Sequence, residues 1–77
     1  MIAKAGARVG AIRDATDSKV NMFGYGVYDG DIKHPDLGFP NPRITLDDGR
    51  IVWGCECWWG PEEKIKKIIG DRTVEIV

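Results

Sequence analysis

The sequence has few of the cysteines that build disulfide frameworks and no long apolar run of the kind that spans a membrane. Its 77 residues include one His and two Cys, and a single residue separates the two Cys. Cysteines at this spacing share one face of a strand, and a bridge between them would close a strained ring, which excludes the disulfide framework of a small secreted domain. Lys4 and Arg8 interrupt residues 1–12, so a signal-peptide apolar region is absent. No run approaches the roughly 20 apolar residues of a membrane helix. We therefore expect a cytoplasmic protein that does not engage a membrane.

The chain is short, and its charge is unevenly distributed. Seventy-seven residues make one domain, spanning residues 1–77, with a small core. Because domains of this size often need a disulfide, a metal or association for stability, we expect a homo-oligomer. The net charge is −1, and the centre of the chain is acidic whereas its two ends are basic. Duplex nucleic acids are bound mainly through cations that meet phosphates, so the acidic centre argues against a duplex nucleic-acid partner.

The clearest local signal is a hairpin in residues 44–63, which also hold all three Trp and both Cys. Asp48-Gly49 lies between two runs rich in β-branched residues, and Gly supplies the positive φ of a tight primed turn. Residues 44–46 and 50–57 are therefore predicted to pair antiparallel. Alternation assigns one set of side chains to an apolar core face, namely Ile51, Trp53, Cys55 and Cys57. The opposite face, which we predict to be a binding surface, carries Val52, Gly54, Glu56 and Trp58.

The residues before this hairpin predict two strands and a long connection. Residues 8–13 and 19–28 have the pattern of strands, and Gly24 and Gly26 indicate a bend of the kind found at barrel corners. The second strand is expected to place Phe23 and Tyr25 on one face. Residues 29–42 carry three of the four Pro. They are predicted to form an ordered lid or recognition loop, held to the body by side chains that include Phe39.

A helix and a last strand complete the predicted fold. Pro61 suits the first helical position and Gly70 the C-cap. The buried stripe of this helix is predicted to be Ile65, Ile68 and Ile69. Residues 71–77 alternate like a strand. The predicted fold class is therefore mainly β: a small SH3-like, partly open barrel of about five short strands with one short helix near the C-terminus.

The sequence offers no complete metal or catalytic site. Cys55, Cys57 and His34 could supply three zinc ligands, but structural zinc normally takes four, so two small buried residues are the preferred interpretation of the Cys pair. An acid–base pair of His34 with Glu56 would need a nucleophile or a substrate partner that the sequence does not show. We therefore predict a protein without catalysis, cofactor or metal, in which His34 makes hydrogen bonds or contacts a ligand.

The aromatic residues are more numerous than a small core can bury. Trp53 is predicted to lie in the core. Trp58 and Trp59 are neighbours on opposite faces of a strand, so one of them should be exposed or covered by a partner. Exposed aromatic side chains stack on bases or form the centres of protein interfaces. The alternative is purely structural: Trp59 packs beneath the helix, and Trp58 meets a second subunit.

Several motifs resemble those of known small proteins. The Gly-x-x-Val-Gly opening at residues 6–10 and the Leu-Asp-Asp-Gly turn at residues 46–49 resemble those of SH3-like and Tudor-like modules. The runs at residues 23–31 and 41–63 resemble small phage and prophage proteins. In size and layout the chain is similar to phage anti-defence proteins that sequester nucleotide immune signals. This resemblance implies a compact, non-catalytic, cytoplasmic oligomer whose pockets lie between or beside subunits.

These observations lead to two functional hypotheses. In the first, the protein sequesters a nucleotide-derived small molecule on which Tyr25 or Trp58 stacks. Arg43 or Arg50 then contacts a phosphate, and residues 29–42 close over the ligand. In the alternative, the protein is an adaptor or inhibitor that grips a host protein through an exposed aromatic and acidic surface made by Trp58, Tyr28 and the acidic loop over residues 29–42. The candidate ligand-binding residues are Tyr25, Tyr28, His34, Phe39, Arg43, Arg50, Glu56 and Trp58.

Overall fold

One long strand, β2 (Lys19–Lys33), pairs with three other strands in the computed structural model, which describes residues 4–77. The remaining elements are β1 (Arg8–Ala15), β3 (Pro40–Leu46), β4 (Ile51–Trp53), a 3-10 turn (Gly54–Glu56), β5 (Trp58–Pro61), α1 (Glu62–Ile69) and β6 (Thr73–Ile76). β1 is antiparallel to β2 along one edge, while the other edge is divided between antiparallel β3 and parallel β6. The strand order is β4-β3-β2-β1-β5, with β6 beside β2.

This architecture confirms the predicted fold class. The chain is mainly β and forms a small, partly open barrel with one short helix near the C-terminus. Residues 4–77 form six strands rather than about five, and β2 and β3 are longer than predicted. The first three residues of the predicted domain lie outside the described residues.

A bend in β2 divides the apolar residues into two cores. Ala11 of β1 pairs with Gly24, and the next pair along the ladder omits Phe23, which is an extra, bulged residue. Gly24 has φ +136°, a conformation that other residues adopt only with strain, so the predicted bend is confirmed there. Phe23 packs on the barrel core and Tyr25 on the other core, so the prediction that they share a face is wrong. The barrel core consists of Val9, Ala11, Tyr28, Ile44, Leu46 and Val52.

Helix α1 covers the second core, called here the helix core. It consists of Ile12, Val20, Met22, Ile65 and Ile69. The prediction that Ile68 belongs to the buried stripe is wrong, because Ile68 is 49% exposed. Ile65 and Ile69 are one helical turn apart and share a face, whereas Ile68 points to the side of it. Pro61 directly precedes the first helical residue, and Gly70 ends the helix with φ +60°, as predicted for a C-cap.

The prediction of a long lid over residues 29–42 is wrong. β2 continues to Lys33 and β3 begins at Pro40, so only residues 34–39 connect them. Asp31 pairs with Pro42 in this ladder, which extends the hairpin as a two-stranded ribbon. The Pro residues are tolerated because this part of β3 has β2 on one side only, and β4 pairs with residues 43–45 alone. Residues 29–33 and 40–42 are therefore paired strands rather than an ordered lid or recognition loop.

The β3–β4 hairpin is confirmed, but its turn and its faces differ from the prediction. Gly49 has φ +93° and donates its N–H to the C=O of Leu46, while Asp48 has a negative φ, so this is a type I turn followed by a left-handed Gly rather than a primed turn. β4 stops at Trp53 because the 3-10 turn begins there, and simple alternation over residues 50–57 therefore fails. Ile51 is 51% exposed and Val52 is buried in the barrel core, which reverses the predicted core face.

We predict that Gly26→Ala destabilises the fold. A Cβ at Gly26 would lie 2.2 Å from the carbonyl oxygen of Thr45, which is backbone and cannot move aside. Gly60→Ala is the matched control, since a Cβ there would meet only Ile65 at 4.0 Å. In urea unfolding, Gly26→Ala should lower the free energy of unfolding by about 1–3 kcal/mol or more, and Gly60→Ala by at most about 0.5 kcal/mol. Equal losses for the two variants would contradict the close strand approach.

Candidate functional site

Tyr28 is a core residue rather than a free contact residue. Its ring is stacked on that of Trp59, with centroids 4.9 Å apart and an interplanar angle of 26°. Its hydroxyl donates to Oδ1 of Asp31 at 2.7 Å. This hydrogen bond, together with burial, raises the pKa of Tyr28. The side chain is 6% exposed, so it supports the barrel core and holds Trp59 in place.

His34 is buried at the start of the loop over residues 34–39. Its ring lies 4.5 Å from that of Trp53, in a tilted arrangement. Its Nδ1 accepts hydrogen bonds from the backbone N–H groups of Asp36 and Leu37, at 3.1 and 3.2 Å. These hydrogen bonds hold the loop over residues 34–39 in shape, so His34 has a structural role there. Trp53, predicted as a core residue, is only half-buried and forms the outer side of this pair.

The two arginines proposed for phosphate contact already have partners. Arg43 donates from Nε to Asp29 at 3.0 Å, and the same carboxylate accepts from Thr45 at 2.6 Å. Arg50 donates from three nitrogens to three different groups, which are Oδ2 of Asp48, the C=O of Val77 and the C=O of Phe23. Arg50 thus joins the β3–β4 turn to β2 and to the end of the chain.

The Cys-Glu-Cys segment forms the 3-10 turn and its exit. Cys55 is exposed, so its predicted burial is wrong. Cys57 is half-buried and donates its thiol to the C=O of Trp53 at 3.4 Å. Burial, with a smaller effect of the neighbouring Glu56 carboxylate, raises the pKa of Cys57 to about 11. Glu56 is exposed and accepts from the N–H of Trp53 at 3.4 Å.

Tyr25 lines a shallow groove at the place where β2 stops pairing with β6 and begins to pair with β3. The groove has a volume of about 200 Å³ and is bordered by Phe23, Leu46 and Ile76 on its apolar side. Lys66 of α1 lies 5.8 Å from the centre of the Tyr25 ring. Phe39, by contrast, is exposed in the loop over residues 34–39 and does not anchor that loop to the barrel.

Trp58 is the most exposed large apolar residue among the described residues. It is 77% exposed, while the neighbouring Trp59 packs on the barrel core. The prediction that one of the two adjacent Trp is exposed is therefore confirmed. Trp59 packs on the barrel core beside Tyr28 rather than on the helix core, so the part of the structural alternative that placed Trp59 beneath the helix is wrong. The exposed ring belongs to a paired strand, since Trp58 faces Ile12 in the β1–β5 ladder.

Trp58 lines a hollow of about 340 Å³ together with the end of β1. The other lining residues are Arg13, Asp14 and Ala15. Arg13 is bulged out of the β1–β2 ladder and reaches Asp14 from Nε at 2.9 Å. Within residues 4–77, its two Nη groups make no hydrogen bond to the chain. A hydrogen bond from Asn21, and then one from Arg13, lower the pKa of Asp14, which stays ionised.

The eight candidate residues therefore do not form one site. Tyr28 and His34 stabilise separate parts of the barrel, and Arg43 and Arg50 cross-link its strands. Trp58 remains a binding candidate, but its neighbour is Arg13, which sequence reasoning missed. The sequence carried no signal for this pairing, because a bulge in β1 creates it.

Comparison with known proteins gives no relative: no family model matches the sequence, and no curated protein or solved structure matches it significantly. Within residues 4–77, no helix is long and apolar enough to cross a bilayer. The same residues contain no group of three or more His, Cys, Asp or Glu placed to hold a metal ion.

We predict that Arg50→Lys destabilises the protein. A lysine ammonium cannot reach the carbonyls of both Phe23 and Val77 in the planar geometry of a guanidinium. Because the side chain is partly exposed, the expected loss in free energy of unfolding is about 1 kcal/mol. Arg13→Lys is the matched control, with an expected change within about 0.5 kcal/mol. Equal urea midpoints for wild type and Arg50→Lys would show that the cross-link is not needed.

The two cysteines should differ in reactivity. The thiolate is the nucleophile, and the raised pKa of Cys57 keeps that residue protonated near neutral pH. Iodoacetamide should therefore alkylate exposed Cys55 first, with Cys57 slower by about tenfold or more. Peptide mass spectrometry over time measures the two rates. In urea the rates should converge, and equal rates in the folded protein would be inconsistent with the burial of Cys57.

Proposed function

We propose that this chain is a non-catalytic binding protein that recognises another protein through the surface around Trp58. The observation that carries the proposal is that Trp58 is 77% exposed beside a hollow, whereas both other Trp and both Tyr pack on the chain itself. Leaving a Trp in water forgoes the free energy that burial of its large apolar surface provides. A partner that covers the ring recovers this free energy.

The surroundings of Trp58 have the composition of an interface centre. Trp and Arg are the residue types most enriched among interface hot spots, and Arg13 borders the same hollow. Asp14, kept charged by Asn21 and Arg13, supplies a polar rim. The ring is carried on a strand paired with β1, so little backbone order has to be gained on binding. This is the adaptor or inhibitor hypothesis, centred on Trp58 and without a contribution from Tyr28.

Sequestration of a nucleotide-derived small molecule is the second candidate. It is supported by the free Nη groups of Arg13 beside an exposed ring, a combination that can stack on a base and contact a phosphate. Stacking contributes about 1–3 kcal/mol per base, and one arginine contact adds a similar amount, so a single open site gives a Kd of about millimolar. Arg50 is engaged elsewhere, Arg43 pairs with Asp29 outside the Trp58 hollow, and Asp14 repels a phosphate. These magnitudes favour a protein partner.

We predict that Trp58→Ala strongly weakens partner binding without unfolding the chain. Tagged wild-type protein, purified from cells that contain the natural partners, should retain a protein that is then isolated and titrated. Trp58→Ala should weaken that interaction by about 30-fold or more, because a Trp hot spot contributes roughly 2 kcal/mol or more. Its urea midpoint should stay near the wild-type value, since the ring is already in water.

Phe39→Ala is the matched control, because it removes an exposed aromatic ring away from the Trp58 surface. It should leave partner binding unchanged. A thermal-shift series with linear and cyclic nucleotides tests the second candidate, with Arg13→Gln as the variant that should lose any shift. Partner binding that survives Trp58→Ala would remove the first proposal, and a nucleotide shift that Arg13→Gln abolishes would establish the second instead.

A further inference from the structure

The outer edge of β6 carries backbone groups without partners in the described chain. β6 is parallel to β2, and its first and last contacts are Thr73 N–H to Ser18 C=O and Val77 N–H to Met22 C=O. In a parallel ladder alternate residues turn both backbone groups to the same neighbour. The N–H and C=O of Val74 and Ile76 therefore point away from β2. Within residues 4–77, no hydrogen bond from another loop or side chain reaches them.

The side chains at this edge are apolar and partly exposed. Val74 lies beside Val20, and Ile76 beside Met22, both of which are buried in the helix core. Val74 is 40% exposed and Ile76 is 56% exposed, so the apolar surface of the helix core continues beyond the cover of α1. Exposed edges are commonly protected by Lys, Pro or a bulge, and residues 73–76 have none of these.

We propose that β6 pairs antiparallel with β6 of a second copy of this chain, with Val74 of each copy opposite Ile76 of the other. The two-fold axis then passes between the two Glu75 residues. Both Val74–Ile76 pairs are hydrogen-bonded pairs, so four N–H to C=O bonds join the copies, and the same patch serves both sides. On one face of the joined sheet, the four apolar side chains cover one another.

The register of this β6–β6 pair follows from which backbone N–H and C=O groups lack a hydrogen-bond partner. An axis at Val74 would place Arg72 opposite Ile76, so the C=O of Ile76 would need the N–H of Arg72 as its donor. The N–H of Arg72 is already donated to the C=O of Ile69 at 3.3 Å. Within residues 4–77, an axis at Ile76 places no residue opposite Val74, so the outward groups of Val74 stay without partners. The arrangement centred on Glu75 is therefore the one that satisfies all the outward groups of Val74 and Ile76.

The axis also brings two carboxylates together on the other face. Each Glu75 is paired with Lys19 of its own β2 at 2.8 Å, and Arg13 of β1 adds a more distant positive charge. The Lys19 hydrogen bond lowers the pKa of Glu75, so the free chain carries this charge at neutral pH. Like charges directly opposite each other weaken a strand pair. A second carboxylate raises the pKa again on pairing, so protons are taken up and association strengthens as the pH falls.

Sedimentation velocity of the full chain over a concentration series tests this interface. The wild type should form dimers, more strongly at mildly acidic than at neutral pH. Glu75→Gln should lower the dimer dissociation constant at neutral pH and reduce its dependence on pH. Val74→Pro should raise that constant by about tenfold or more, since it removes two of the four intermolecular hydrogen bonds. Proline is tolerated there because the N–H of Val74 does not bond to β2.

Ile68→Lys is the matched control, because Ile68 is exposed to a similar extent, 49% against 56% for Ile76, but lies on α1. It should leave the dimer unchanged, as should Trp58→Ala, which separates this proposal from the one on partner binding. A wild type and a Glu75→Gln variant that both stay monomeric at millimolar concentration would overturn the proposal. So would a dimer that Ile68→Lys weakens as much as Val74→Pro does. If Val74→Pro fails to fold, the opposite shift expected for Glu75→Gln still decides the outcome.

Discussion

The bend in β2 at Phe23 and Gly24 is the constraint on which the rest of the fold depends. Before the bend, β2 lies beside β6 and contributes to the helix core; after it, β2 lies beside β3 and contributes to the barrel core. One strand can serve two layers only if its side chains change faces, and the bulge supplies that change. The change of partner leaves a gap in the ladder, which Arg50 spans by donating to the carbonyls of Phe23 and Val77. A chain of 77 residues thereby makes two small cores with a single sheet.

Local patterns predicted the parts of the fold that are decided locally. The β3–β4 hairpin, the Gly70 cap and the bend at Gly24 follow from backbone preferences of a few residues, and all are present. The long ribbon was missed because its Pro and Gly residues are typical of loops, yet β3 is unpaired on one side there and tolerates them. The reversed face of β4 arose because a 3-10 turn interrupts the strand after Trp53, which alternation cannot foresee.

Of the candidate site, the sequence predicted only that one of two adjacent Trp side chains is exposed. Two adjacent Trp cannot both enter one core, and that reasoning identified an exposed ring without deciding which of Trp58 and Trp59 it is. The stack of Tyr28 on Trp59 decides it, through a contact between strands far apart in the sequence. The role of Arg13 depends on a bulge, and the role of Arg50 on a carbonyl of β2 and another at residue 77. Such contacts depend on the tertiary fold, so a local motif does not reveal them.

The two proposed surfaces lie at opposite margins of the same stretch of sheet. From Trp58 on β5, the order runs through β1 and β2 to β6, so about three strand spacings of roughly 4.8 Å separate them. The two surfaces therefore use different strands, β5 and β6. A dimer joined at β6 would present two Trp58 surfaces related by a two-fold axis. Since a single exposed Trp with one Arg gives modest affinity, a partner with two matching sites would gain its strength from simultaneous contact with both copies, without any further contact per copy.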